Sequence, residues 1–187
     1  MKFNSTLLAL SVAALFATSA ANAAITGTSS VKLTVQSTIT AGTCTAKVTN
    51  SAGADAAVVN FGDVYKSDIA NKSRVEPLKI SFTGCAGVKK AAVSAAAGTG
   101  GSCSGTNKDG SSYAAGQNTA FEIWSGAVDS GVQLSCKTPP AAQTVNINSG
   151  AGEFPMNSRI VVAKDKTISD VGTGSVTAPV TFTVTYQ

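Results

Sequence analysis

Four cysteines, ten carboxylates and no histidine bound the chemistry open to this 187-residue chain. Without histidine there is no Ser-His-Asp or Cys-His nucleophile, and no imidazole to ligate a metal. Asp63, Asp68, Asp129 and Asp165 are scattered, and no two carboxylates have a spacing that suggests glycoside hydrolysis. Gly98, Gly100, Gly101 and Gly105 make no phosphate-binding loop, because the Gly-Lys-Ser/Thr ending is missing. Asn107-Lys108-Asp109-Gly110 resembles a calcium loop only superficially, since the remaining ligand spacing is absent. No catalytic residue, metal or cofactor is therefore expected, and the chain reads as a non-enzyme. Trp124 would offer a sugar-binding platform if exposed, but a tryptophan in a strand is more often half-buried.

The cysteines carry the remaining chemistry. Lys2, an apolar run from Thr6 to Ala17 and the small-x-small triplet Ala21-Asn22-Ala23 have the layout of a secretory signal peptide, residues 1–23. Export places the thiols in a compartment where disulfides persist. Four cysteines allow three pairings. The sequential one, Cys44 with Cys85 and Cys103 with Cys136, closes two loops, each contributing roughly 3–4 kcal/mol in the chain-entropy model. The absence of any CxxC pair speaks against both zinc and redox catalysis.

Such staples need elements to join, and the composition points to strands. Charged residues are 13% and aromatics 6%, a mixture unlike that of a charge-laced helical bundle. The net charge of +4 is unclustered and gives no support to a nucleic-acid partner. Val31–Thr40 (VKLTVQSTIT) alternates strictly, with Val31, Leu33, Val35 and Ile39 on one side and only Ser37 breaking the apolar series. Further strands are expected at Ala56–Val64, Leu78–Phe82, Phe121–Trp124, Val132–Cys136, Val145–Ile147, Arg159–Ala163 and Val176–Gln187. In the last of these Val180, Phe182, Val184 and Tyr186 alternate with threonines. Ala95–Ser112 reads as a loop tethered by Cys103, and Pro139-Pro140 punctuates another. No amphipathic helix of useful length is found. Many short strands between frequent turns imply an antiparallel β-sandwich.

Three features then combine: the alternating segment before Cys44, a cysteine pair linking the start of the fold to the end of the strand Leu78–Cys85, and the terminal strand VTFTVTYQ. With FGDV at Phe61–Val64 and KISFTGC at Lys79–Cys85, the chain resembles the structural pilins of chaperone–usher fimbriae, of type 1-like kind. The Cys103–Cys136 pair is not a general feature of that family.

The resemblance implies an all-β fold: an incomplete immunoglobulin-like antiparallel sandwich lacking its final strand and completed by donor-strand complementation. It implies residues 24–43 as an N-terminal donor extension and residues 44–187 as the pilin domain. Val31, Leu33, Val35, Ser37 and Ile39 would enter successive pockets of a neighbour's groove. In similar pilins the pocket before the last takes a small residue, and Ser37 stands there. A one-residue slip would bury Lys32 and Gln36, at a heavy desolvation cost. Val180, Phe182, Val184, Tyr186 and Gln187 would form the strand that pairs with a periplasmic chaperone and edges the acceptor groove. The partners implied are neighbouring pilin subunits, that chaperone, an outer-membrane usher and a host glycan or protein receptor. The implied location is a fimbrium on the bacterial cell surface, reached through the periplasm, where the chain supports adhesion. The alternative role is a minor adaptor or carbohydrate-binding adhesin subunit of the same fibre. Without the resemblance, Val31–Ile39 reads more readily as the first strand of the chain's own sandwich.

Overall fold

The computed structural model describes residues 34–38, 40–50 and 52–187. The expected signal peptide, and Val31, Leu33 and Ile39 of the alternating segment, lie outside the described residues. The chain divides into two units, Met1–Ile39 and Thr40–Gln187, and every element below belongs to the second.

Among the described residues, nine strands and two short helical turns follow in order. They are β1 (Thr43–Asn50), α1 (Lys66–Ala70), β2 (Val75–Ala86), β3 (Lys90–Ala97), β4 (Tyr113–Gly116) and β5 (Thr119–Ser125). Then come β6 (Val132–Gln133), β7 (Gln143–Asn146), β8 (Gly152–Val162), a 3₁₀ turn (Ile168–Asp170) and β9 (Val180–Tyr186). One sheet has the order β1-β2-β8-β5-β4, with β6 on β5; the other is β7-β3-β9. Every pairing between these strands is antiparallel.

Period-2 patterning explains which face turns inward. On β2, Leu78, Ile80 and Phe82 are buried, while Lys79 and Ser81 between them are not. β8 answers with Phe154, Met156 and Ile160, and β3 with Ala91, Val93 and Ala95. Tyr113 fills the centre and donates its hydroxyl proton to the Leu134 carbonyl at 2.8 Å. Burial pushes the pKa of that phenol up to about 12. Both disulfides join the cysteines in sequence: Cys44–Cys85 ties β1 to β2, and Cys103–Cys136 ties the loop before β4 to the turn after β6.

Three strand expectations are corrected. Ala56–Val64 forms no strand: after the bridge Thr49↔Asp55 and the bond from Ala56 N–H to the Val48 carbonyl, the segment pairs with no described strand. The Asn60 side chain then accepts from Gly62 N–H at 2.8 Å, and Gly62 takes a φ of +61°, a turn that breaks the extension. Val132–Cys136 is a strand only over β6: Leu134 N–H still reaches the Ile123 carbonyl at 2.8 Å, but Cys136 N–H turns away to the Ser111 carbonyl at 2.8 Å. The terminal strand begins at Val180 rather than Val176. Residues 172–178 instead bond to the other sheet, through Gly172 N–H to Gln117 and Thr177 N–H to Ala115. β1, β3 and β4 are additions to the expected strands. β3 also takes the first residues of the expected loop Ala95–Ser112.

The Cys103–Cys136 loop, with a separation of 33 residues, sits at the end of this core. Replacing both cysteines with serine should lower unfolding stability by about 3 kcal/mol. Urea titration checks this; an unchanged midpoint would show that the loop is held by packing alone.

Candidate functional site: a groove between two sheet edges

β1 is the edge of one sheet and β9 the edge of the other. The two come together at one end, where the Tyr186 hydroxyl donates to the Cys44 carbonyl at 3.2 Å. Beyond that contact the edges part and leave an open groove of about 1530 Å³. Val48 and the segment 55–65 form one wall, and Ala178, Val180 and Phe182 form the other. Its floor is the inner face of the larger sheet, reached at Leu78, Ile123 and Ile160.

β9 shows the alternation expected of it. Val180, Phe182, Val184 and Tyr186 face inward and Thr181, Thr183 and Thr185 face solvent. Yet none of the four inward residues is fully covered, whereas Val93 and Ala91, paired with Val184 and Tyr186, are 0% exposed. The contrast locates what is missing: β9 pairs with β3 along one side, and no described strand pairs with the other. An edge strand of this kind presents a row of unpaired N–H and C=O groups. Gln187 continues the ladder by accepting from the N–H groups of Lys89 and Lys90 at 2.9 and 3.0 Å.

The far end of the groove is built around Phe61, which the sequence showed as part of the FGDV marker and of the expected strand Ala56–Val64. Phe61 is buried against Phe121, ring centroids 4.9 Å apart, in a second cluster with Ile69, Ile160 and Val171. Arg74 donates through Nη2 to the Phe61 carbonyl. Asp68 closes the first turn of α1 by accepting from Tyr65 N–H at 3.0 Å. Val58 and Tyr65 stand 76% and 71% exposed on the rim. Of the alternating segment, residues 34–38 have no regular secondary structure, and Val35 is 83% exposed.

Arg159, Glu122 and Asp129 form a structural cluster of ion pairs. Arg159, 3% exposed, donates to Glu122 Oε2 from Nε and Nη2 at 2.9 and 2.7 Å, and to both oxygens of Asp129 at 2.6 and 2.7 Å. Trp124 joins them: its indole N–H donates to Glu122 at 3.2 Å, and the guanidinium lies 6.0 Å from the ring centroid. The ring is half-buried, as expected for a strand tryptophan. Arg159 lies 37 and 30 residues from Glu122 and Asp129, and no motif marked the three as a cluster. Among the described residues no group of three or more His, Cys, Asp or Glu side chains could hold a metal ion.

The chain is 42% identical, in an alignment that covers 86% of each protein, to an uncharacterized fimbrial-like protein, YadL, of Escherichia coli (strain K12). No protein-family model matches it. The P pilus rod subunit PapA superposes with a TM-score of 0.53, over 77% of this chain and 99% of that one, at 14% identity. A structure of a chaperone–usher pilus aligns at a TM-score of 0.49 and 17% identity, over 86% of this chain and 98% of that one.

The Arg159 cluster sets a pH dependence. Its hydrogen bonds hold the Asp129 carboxyl below the usual carboxylate range. A lowered folded pKa contributes stability above the unfolded value, about 3.9, and that stability is lost as pH falls through the folded one. Asp129→Asn should therefore flatten the decline of the melting temperature below about pH 4 while leaving its slope near neutrality unchanged. Melting curves across that range check this, and identical acid slopes would contradict it.

Proposed function

The chain belongs to the family of the fimbrial-like proteins, and from that premise we propose that it is a structural subunit of a chaperone–usher pilus, polymerising by donor-strand exchange. Residues 31–39 of one copy lie in the groove of the next. The observation that carries this is the free side of β9, unpaired among the described residues, next to an open groove whose floor is hydrophobic core. An extended segment laid there gains main-chain hydrogen bonds along β9 and puts every second side chain into the groove. The strand pairings of the smaller sheet are antiparallel, so an insert continuing it runs antiparallel to β9. Val31, Leu33, Val35 and Ile39 supply the apolar face, and Ser37 the small position between them. Burying those four side chains contributes on the order of 6–12 kcal/mol before ordering costs.

In this reading the segment 24–43 is a detachable extension and 44–187 the receiving domain. Before assembly, a periplasmic chaperone covers the free edge through Val180, Phe182, Val184, Tyr186 and Gln187, and an outer-membrane usher passes the subunit to the cell surface. The fibre supports adhesion; a host glycan or protein receptor is contacted by the assembled fimbrium. The alternative, a carbohydrate-binding subunit of the same fibre, leans on Trp124. That ring is engaged by Arg159 and Glu122, which speaks against a free platform.

Val35→Asp or Ile39→Asp places a carboxylate where the groove cannot solvate it, and polymerisation should fall by roughly two orders of magnitude or more. Light scattering with electrophoresis of undenatured polymers measures this. Normal assembly of either variant would sink the proposal.

A further inference from the structure

The chain between the inserted segment and its own sandwich is very short. A Cβ on Gly42 would lie 2.8 Å from Val88 Cγ2 and 3.0 Å from the Gly87 carbonyl, so the backbone at Gly42 is pressed against the turn 86–90. Val88 is buried, and Gly87 has a φ of +72°. Thr40 and Ala41 alone separate this seat from Ile39. Three peptide steps reach at most about 11 Å. If Ile39 occupies a neighbour's groove, the turn 86–90 must stand at the mouth of that groove.

The antiparallel orientation says which mouth. Tyr186 marks the end of the groove at Cys44, and Val180 with Ala178 marks the other. An insert antiparallel to β9 brings Ile39 to the Val180 end, beside Phe61 and the rim at Asp63 and Tyr65. The charges there match. Lys89 and Lys90 are exposed, and neither ammonium has an ion-pair partner among the described residues. Asp63 is likewise exposed and unpaired among them; Lys66 on the same rim is exposed and unpaired too, and Asp68 is taken up by Tyr65 N–H. Tyr65 and Val58 give the rim apolar area to cover.

We infer that the turn 86–90 of one copy docks on the Asp63–Tyr65 rim of a second copy, with Lys89 and Lys90 facing Asp63. This rests on the strand-insertion reading and adds a second contact outside the groove. It uses different surfaces on the two copies, the head-to-tail arrangement that propagates as an open filament rather than closing as a dimer. The pinned Gly42 fixes the angle at which successive copies meet.

Charge reversal tests it. Asp63→Lys, and separately Lys89→Glu with Lys90→Glu, should each slow polymerisation about tenfold at low ionic strength, with the effect largely screened above about 0.3 M salt. Mixing the two variants lets a rim carrying Asp63→Lys receive a turn carrying Lys89→Glu and Lys90→Glu, and should restore the rate. Wild-type rates for both reversals at low salt, or slowing that the mixture does not relieve, would overturn the inference. Melting curves of each monomer separate a folding defect from an assembly defect. Val35→Asp serves as the reference: if it assembles normally, strand insertion itself fails, a result distinct from either charge outcome.

Discussion

Everything in this fold turns on one side of β9 having, among the described residues, no strand to pair with. An antiparallel sandwich closes its core by covering both sheets to their edges. Here the smaller sheet stops one strand early, and the inward face of β9 stays half-exposed above a floor of Leu78, Ile123 and Ile160. Such an edge invites another chain, and solitary proteins usually blunt it with charge, proline or a bulge. β9 carries none of these along Val180–Tyr186; its outward positions are threonines, which suit a pleated, pairing strand.

The rest of the molecule keeps that gap open without letting the sandwich come apart. The Cys44–Cys85 bridge and the Tyr186–Cys44 hydrogen bond fasten the two edges at one end. Phe61, held by Phe121 and Arg74, props the opposite end. On the outer face, Arg159 binds two carboxylates at once and ties β8 to β5 and to the turn that bears Asp129. The guanidinium is costly to remove, because Glu122 and Asp129 would then face each other with no cation between them. These devices stiffen the frame around the groove and leave the groove itself free.

The sequence revealed the parts whose physics is local. β9 and the middle of β2 were legible because each buries one face, so polarity alternates with period two. The two disulfides were expected from the four cysteines together with the signal-peptide reading, and both form in the sequential pairing. The family resemblance, read from FGDV, KISFTGC and the terminal strand, agrees with a 42% identical fimbrial-like relative. Nonlocal features stayed hidden. The strand β3 is mostly alanine, a residue with little strand preference, and it is extended only because both neighbours pair with it. Segment 56–64 has a strand's apolar composition but no strand partner among the described residues, so it lines the groove as an irregular wall. The Arg159 cluster unites charges from β5, β8 and a turn, and no spacing along the chain announces it.

The central claim is that this sandwich lacks one strand and that residues 31–39 can supply it. The most direct measurement appends those residues after Gln187 through a short flexible linker and compares melting temperatures. A strand following β9 through a tight connection can lie antiparallel to it, in the proposed orientation. The account predicts a rise of at least about 10 °C, since a domain of this size gains roughly 2–4 °C per kcal/mol. The same appendage carrying Val35→Asp should give almost none of it. An unchanged melting temperature, or an equal rise from both appendages, would contradict the account.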